Sequence, residues 1–411
     1  MKRILIAVGD YYPVSSANGI CVKILAEELK KRGYEVHCVA NGYNNDRTIK
    51  QVDGVTVHFV KTPLLWKLLD FAKNDNRYPL KKILMIIWRF LIYLRIPLYL
   101  ISFPAESRMH RNRFSHAVAN IIKENSIAAV IGVNKPIEAI WGSYLAAKDN
   151  DIPMISYFLD PLAGGIENHL VGKQQSYKRS ADVEKEILNY SSKAIFMEEN
   201  RSNIYKRYGN DYDGKIAFLG APLLKDNFTI EPNKKVSREK IIIYAGAVLK
   251  EMRNPRYIME CFKYVKNAKL IMYISNSCEW IEEYCNSNIE IRERIPHEKM
   301  MQEMKSADAL LNIGNSDPLY APSKIIEYIG FGKPIITTYR IPEDTSVQYM
   351  KNYPASLCID ERTVRVEDAA LEIEVFIEKA RAFDFHEIEQ SFWKNRPAAF
   401  ADIVDDVLMT K

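Results

Sequence analysis

The chain has 411 residues, enough for two domains, and its 47% hydrophobic and 11% aromatic content supplies packed cores and excludes a disordered chain. Lysine and arginine number 57 against 52 aspartate and glutamate, a net +5 that is too mild to argue for a nucleic-acid partner. The six cysteines (21, 38, 261, 278, 285 and 358) contain no CxxC and no Cys/His spacing of a zinc site, so a reducing cytoplasm is expected.

RILIAVG (3–9) reads as a buried strand rather than a secretory signal, because its apolar run ends in Gly9-Asp10 and not in a small-residue cleavage site. GICVKILAEELKKRG (19–33) is a helix with a charged outer face and a glycine stop; EVHCVAN (35–41) and VTVHFVK (55–61) are strands. IAAVIGVN (127–134), PMISYFLD (153–160) and KAIFMEEN (193–200) are further strands, with helical stretches at 136–149, 181–190 and 200–208. Near-continuous apolar strands alternating with helices predict a parallel sheet covered on both faces.

Residues 61–113 stand apart, with eleven basic and three acidic side chains, so this segment carries +8 and the rest of the chain −3. Its centre, KKILMIIWRFLIYLRIPLYLISFP (81–104), is apolar and aromatic but interrupted by Arg89, Arg95 and Pro97. Two readings fit: a core helix pair whose arginines snorkel, or helices lying at an anionic lipid surface, with Lys82 and Arg89 on one face. No clean apolar run of ~20 residues reads as a membrane span.

A lysine-rich stretch (222–240) precedes a second series. IIIYAGAV (241–248), a helix near 255–266, AKLIMYIS (268–275), IEIRERI (289–295), a helix near 297–306, ADALLNIG (307–314), a short helix opening at Pro322-Ser323, and KPIITT (333–338) predict another open α/β unit. FWKNRPAAFADIVDDVL (392–408) closes the chain as a helix with a proline inside it. The fold class expected is α/β, with two Rossmann-like domains in tandem.

Open α/β sheets bind ligands beyond the carboxyl ends of their strands. Three such places carry suggestive residues. The loop after the first strand ends at Asn18-Gly19, where a glycine admits a close backbone approach or simply serves a turn. It lacks GxGxxG, which argues against a dinucleotide dehydrogenase. In YAGAVLKEMRNPRYIMECF (244–262), Asn254 is a helix cap, Pro255 a first-turn proline, and Arg253 lies just outside the positive helix end, as a diphosphate clamp or a solvated loop cation. In APSKIIEYIGFGKPII (321–336), Pro322 as the first helical residue leaves the amides of Ser323 and Lys324 unpaired, and Lys324 adds a full charge. Glu327 shares that face and fits ribose hydroxyls; the bland alternative is an i,i+3 surface ion pair with Lys324.

In this order the segments resemble the GT-B glycosyltransferases, specifically the retaining family 4, over nearly the whole chain. NGICVKILAEELKKRGYEVHCVA is similar to that family's donor loop and helix, IPMISYFLDPL to its strand ending in Asp-Pro, and EKEILNYSSKAIFMEENRSNIYKRYG to its helix–strand–helix step. Gly246 with Arg253-Asn254-Pro255 resembles its donor motif, and Pro322-Ser323-Lys324…Glu327-Tyr328…Gly332-Lys333-Pro334 its most specific signature. The resemblance implies a GT-B fold with a donor cleft between an acceptor-side domain (1–220) and a nucleotide-sugar domain (221–395), with a terminal helix (396–411) packing back on the first. It implies sugar transfer from a nucleotide diphosphate sugar, with retention, to a polyprenyl-linked or oligosaccharide acceptor in surface-polysaccharide assembly at the inner face of the plasma membrane. Arg253 and Lys324 would neutralise the pyrophosphate, Glu327 hold the ribose, Gly19, Gly246 and Ser323 line the donor, and Asp160 orient an acceptor hydroxyl with Asn134 beside it. No cofactor or metal beyond the nucleotide-sugar co-substrate is expected.

The departures are specific. Leu319 stands where many members carry a first glutamate, with Asp317 out of register; Ala247 replaces an arginine, and Leu159 a histidine for which His116 is the substitute considered. Two other functions share the architecture: a nucleotide-sugar epimerase, and a non-catalytic sugar-nucleotide-binding or membrane scaffold protein.

Overall fold

The computed structural model describes residues 1–13, 15–42, 49–74, 78–164, 170–227, 239–276, 278–316, 318 and 323–409. Two compact units emerge, one of Met1–Pro222 with Pro397–Lys411 and one of Leu223–Arg396.

Unit 1 opens with β1 (Arg3–Ala7), α1 (Ala17–Lys31), β2 (Glu35–Gly42), β3 (Ile49–Val52) and β4 (Val55–Lys61). Helices α2 (Leu64–Asn74), α3 (Tyr78–Leu94), α4 (Ile96–Ser102) and α5 (Arg108–Asn125) lead to β5 (Ile127–Asn134), α6 (Ile137–Asp149) and β6 (Met154–Phe158). Then come α7 (Lys173–Tyr190), β7 (Lys193–Met197), α8 (Arg201–Tyr208) and β8 (Ile216–Leu219). The sheet runs β3-β4-β2-β1-β5-β6-β7-β8, parallel apart from the β3–β4 pair. Ile4, Leu5, Ile6 and Ala7 are fully or almost fully buried, as an apolar strand covered on both faces must be.

Unit 2 comprises β9 (Lys240–Gly246), α9 (Arg256–Cys261), β10 (Ala268–Ile274), β11 (Ile289–Glu293), α10 (His297–Ser306), β12 (Ala309–Ile313), α11 (Ser323–Ile329), β13 (Ile335–Tyr339), α12 (Thr345–Lys351), β14 (Ser356–Asp360), α13 (Val366–Lys379) and α14 (Phe385–Glu389). Its all-parallel sheet is ordered β11-β10-β9-β12-β13-β14. Both sheets therefore wind outward from their first strand and then reverse, the doubly wound order of a Rossmann fold.

Three local readings change. The helix near 255–266 ends at Cys261, because its last turn tightens to three-residue bonds (Lys263 N–H to the Glu260 carbonyl, Tyr264 N–H to that of Cys261) that tuck Phe262 and Val265 into the core. The helix expected at 181–190 starts already at Lys173. Pro397 is not inside the terminal helix but is its first residue; α15 (Pro397–Met409) follows a separate 3₁₀ turn at Gln390–Asn395, and a proline with no N–H to offer suits a helix start.

Within unit 1, α15 lies on α1. Phe400 packs on Tyr157, Lys2 Nζ donates to the Leu408 carbonyl at 2.9 Å, and Arg32 binds Asp402 at 2.8 Å, Asp405, and the Ala398 carbonyl at 3.0 Å. Pro97 bends α3 away from α4 by 52°, since its ring cannot follow a straight helix. No side chain between residues 80 and 102 is buried, so this pair is not a core pair. Ile83, Ile86, Ile87, Phe90 and Leu94 instead form an exposed apolar stripe at helical spacing on α3. No single described helix is long and apolar enough to cross a membrane. The end of α4 is held by α7: Arg179 donates to the carbonyls of Leu100 (2.7 Å), Ile101 (3.0 Å) and Phe103 (2.6 Å), as a cation suits the negative end of a helix.

Candidate functional site

Each sheet reverses at one place, between β9 and β12 in unit 2 and between β1 and β5 in unit 1, and loops at the carboxyl ends of such strands form ligand crevices. The candidate residues gather at these two places.

In unit 2 the loop after β9 folds on itself through paired backbone bonds between Leu249 and Arg253, both 2.9 Å. This presents Arg253, half-buried, just before α9. The cap residue of that helix is Pro255 rather than Asn254, so the proline stands just before the first turn; Asn254 Oδ1 still accepts the Arg256 N–H at 2.9 Å. Gly246 ends β9 where a Cβ would stand 2.9 Å from the Tyr244 hydroxyl, and that hydroxyl donates to the Ala247 carbonyl at 2.7 Å.

The link between this loop and α11 is Tyr328. Its fully buried hydroxyl accepts the Ala245 N–H at 3.1 Å and lies 3.3 Å from the Ala245 carbonyl, registering α11 to the end of β9. Burial pushes the phenol up strongly; the Ala245 bond and the Arg253 charge oppose the rise and Glu327 adds to it. On α11, Lys324 Nζ meets Glu327 Oε2 at 2.6 Å, and the other carboxylate oxygen lies 3.7 Å from His297 Nε2. Lys324 and Glu327 thus form the i,i+3 pair, and a polyanion arriving at Lys324 would have to compete with that contact. Residues 319–322, with Leu319 and Pro322, and Asp317 lie outside the described residues, as does the side chain of Ser323.

Two residues here escaped sequence reasoning. His297, at the head of α10, carries no motif. Asp344 is 1% exposed and reaches back from the loop after β13 to accept the N–H groups of Asn315 and Ser346, each at 2.8 Å. Burial raises its carboxyl, while those amides and the Arg253 charge oppose the rise. A Cβ at Gly314 would fall 2.1 Å from the Asp344 carboxylate, so that glycine makes the contact possible.

In unit 1, Asp160 follows β6 and is half-buried. Asn18 Nδ2 donates to its carboxylate at 3.3 Å and to the Asn134 carbonyl at 3.0 Å, and Lys135 Nζ lies 3.8 Å from the same carboxylate. Asn134 is fully buried; its Nδ2 donates to the Asp160 carbonyl at 2.9 Å, which ties the Asp160 loop to the end of β5. Gly19 sits where a Cβ would lie 1.9 Å from the Asp10 carbonyl oxygen, so α1 can pack against the β1 loop only with glycine there. The loop beyond Asp160 is clamped by α7 and α8: buried Glu184 accepts the Ala163 N–H at 3.2 Å and binds Arg207, whose other arm donates to the Ala163 carbonyl at 2.9 Å.

His116 is exposed on α5, away from these strand ends. The histidine that does reach them is His110, which sequence reasoning passed over. Asn41 Nδ2 donates to Asp10 Oδ1 at 3.2 Å, leaving Asn41 Oδ1 to accept from His110 Nε2 at 3.0 Å. That places the imidazole proton on Nε2, and burial holds the ring neutral with its pKa down to about 4.

No protein-family profile matches the chain, and no curated protein matches it in sequence. Solved structures do resemble it. Sucrose-phosphate synthase from Thermosynechococcus elongatus superposes over 100% of both chains with a TM-score of 0.64 at 12% identity. WaaG, a glycosyltransferase involved in lipopolysaccharide biosynthesis, covers 97% of this chain and 99% of its own at TM-score 0.57 and 14% identity. UDP-GlcNAc 2-epimerase from Methanocaldococcus jannaschii covers 98% and 99% at TM-score 0.54 and 11% identity. At such identities the likeness is one of fold: an α/β chain of two Rossmann-like domains with the GT-B architecture of glycosyltransferases, which an epimerase also shares.

Proposed function

From that fold and the unit 2 strand-end cluster, we propose that this chain is a glycosyltransferase. It takes a sugar from a nucleotide diphosphate sugar and delivers it, with retention, to a lipid-linked or oligosaccharide acceptor in surface-polysaccharide assembly. The observation that carries the reading is the Tyr328 strap, which ties Lys324 and Glu327 to the β9 end whose loop bears Arg253. Arg253 and Lys324 supply fixed positive charge for a diphosphate, including the charge that grows as the sugar–phosphate bond breaks. Glu327, once its lysine turns to phosphate, is left to accept hydrogen bonds from ribose hydroxyls. In unit 1, Asp160, steadied by Asn18 and Asn134, orients an acceptor hydroxyl.

Incubation with UDP-, GDP- and dTDP-sugars is expected to release nucleotide from one of them. Conversion of a UDP-sugar into its epimer with no nucleotide released would instead establish the epimerase reading, which the third structural likeness keeps in play. Arg253→Ala and Lys324→Ala are each expected to weaken nucleoside-diphosphate binding at least tenfold, about 1.4 kcal/mol, without lowering the thermal midpoint. Unchanged affinity in both variants would remove the site.

The exposed stripe of α3, flanked by Lys82 and Arg89, supports peripheral contact with an anionic leaflet. Flotation with anionic liposomes should carry the protein, and neutralising Lys81, Lys82 and Arg89 together should leave it at the bottom of the gradient.

A further inference from the structure

Between α2, α4 and the start of α5 lie two adjoining hollows, open to the surface, that the proposed reaction does not use. One, of about 320 Å³, is walled by Trp66, Ile92, Ile96 and Tyr99. The other, a groove of about 600 Å³, is walled by Leu64, Leu65, Leu98, Ile101 and Met109. They share Pro63, Arg95, Glu106 and Ser107, so they meet at the α3–α4 bend. Both volumes fall in the roughly 300–1,000 Å³ range of small-molecule sites.

In the smaller cavity Arg95 faces Glu106, whose carboxyl is raised by burial and lowered by Arg95, but the groove carries a surplus of cations. Arg95, Arg108 and Arg113 line the groove, and Glu106 is the sole carboxylate among its lining residues. Arg113 is already committed to the Lys61 carbonyl at 2.8 Å. Arg108 crowds the guanidinium of Arg111, whose pKa is lowered by burial and by that neighbour. Cations gathered this way stabilise an anion placed among them.

Location adds a second argument. Trp66 packs edge-on against His110, with ring centroids 5.4 Å apart, and His110 is the first member of the His110–Asn41–Asp10 chain that ends in the β1 loop. The cavity wall is thus one ring away from the carboxyl ends of the unit 1 sheet, the acceptor side of the proposed reaction. A planar membrane surface does not fit a concave hollow with cations in its lining; a single hydrocarbon chain carrying a phosphate does.

We propose that the hollows between α2, α4 and the start of α5 bind a lipid phosphate, its isoprenoid chain along the Trp66, Ile96 and Leu98 walls and its phosphate on Arg95 and Arg108. The inference rests on the acceptor being lipid-linked rather than a free oligosaccharide, and it gives that acceptor a place distinct from the donor residues.

Farnesyl phosphate, soluble and single-chained, is the probe, with farnesol and inorganic phosphate as the two halves; binding is measured by calorimetry on the full chain. Farnesyl phosphate should bind, farnesol at least tenfold more weakly, and inorganic phosphate not measurably. Ile96→Trp, which fills the smaller cavity, should weaken farnesyl phosphate at least tenfold while nucleoside-diphosphate affinity stays unchanged. If that variant folds poorly, Arg95→Gln with Arg108→Gln gives an independent readout: tenfold loss for farnesyl phosphate and none for farnesol. Equal binding of inorganic phosphate and farnesyl phosphate would reduce the site to an anion patch and overturn the proposal, as would full affinity in both variants. Failure of all nucleotide sugars to react, with farnesyl phosphate still bound through these residues, would sink the transferase reading and leave the lipid site standing.

Discussion

Glu138 sits in the first turn of α6, 1% exposed, with one oxygen accepting the Ser107 N–H at 2.9 Å and no partner for the other among the described residues. Burial pushes its carboxyl from 4.5 up to about 7. Between those values the unfolded chain is ionised while the folded one keeps its proton, so this group stabilises fully at low pH and loses its contribution as pH rises from about 4.5 to 7. Glu138→Gln should therefore gain stability relative to the parent across that window, by up to about 3 kcal/mol, read as a variant-minus-parent difference in thermal midpoint. His58 and His110, both held down to about 4 by burial, pull the other way but cancel in the difference. A difference that is flat with pH would mean that Glu138 is ionised in the folded protein. Residues of this kind were invisible in the sequence. Lys324 and Glu327 could be read because a helix start and a recognisable signature frame them. Glu138, His110 and Asp344 each depend on a partner distant in sequence — Ser107, Asn41 and Asn315 — and no local pattern announces that.

At the scale of elements, two contacts decide whether the strand ends keep their shape. Gly19→Ala would drive a Cβ into the Asp10 carbonyl, a backbone-to-backbone overlap that no rotamer relieves. It should lose at least 1–3 kcal/mol of stability, the range for an overpacked core, measured by denaturant melts. Tyr328→Phe keeps the packing of α11 but removes both contacts to Ala245 and leaves that N–H buried without a partner. The expected cost is roughly 1–3 kcal/mol, with weaker nucleoside-diphosphate binding because α11 loses its register to the Arg253 loop. Retained affinity in a destabilised Tyr328→Phe would separate the strap from the site. The central strands were legible because they are uninterrupted apolar runs. Strands β3, β8 and β14 were missed: they are edge strands of only four or five residues, too short to show a period, and β3 and β14 mix polar with apolar side chains as loops do.

For the whole molecule, the return of α15 to unit 1 makes stability depend on the last residues of the chain. Ending the protein at Arg396 would uncover the partners of Phe400, Val404 and Leu408 and strip Arg32 of Asp402 and Asp405. Thermal unfolding should then lose stability in unit 1 while unit 2 melts as before; a uniform shift of both would mean that the helix serves unit 2 equally. The tandem α/β plan was readable from the rhythm of strands and helices alone. The placement of the basic apolar segment was not, because the same composition serves a buried pair or an exposed one, and only the packing around Pro97 decides. Helix α7 grips that exposed segment with Arg179 at one level and the Asp160 loop, through Glu184, five residues further along. A helix is a stiff rod with a rise of roughly 1.5 Å per residue, so these two grips stand at a set spacing. For the proposed transferase resting on its apolar stripe, α7 would act as a spacer: the height of the Asp160 loop above the lipid plane would enter the choice of acceptor, and acceptors of the right chemistry but the wrong stem length would be passed over.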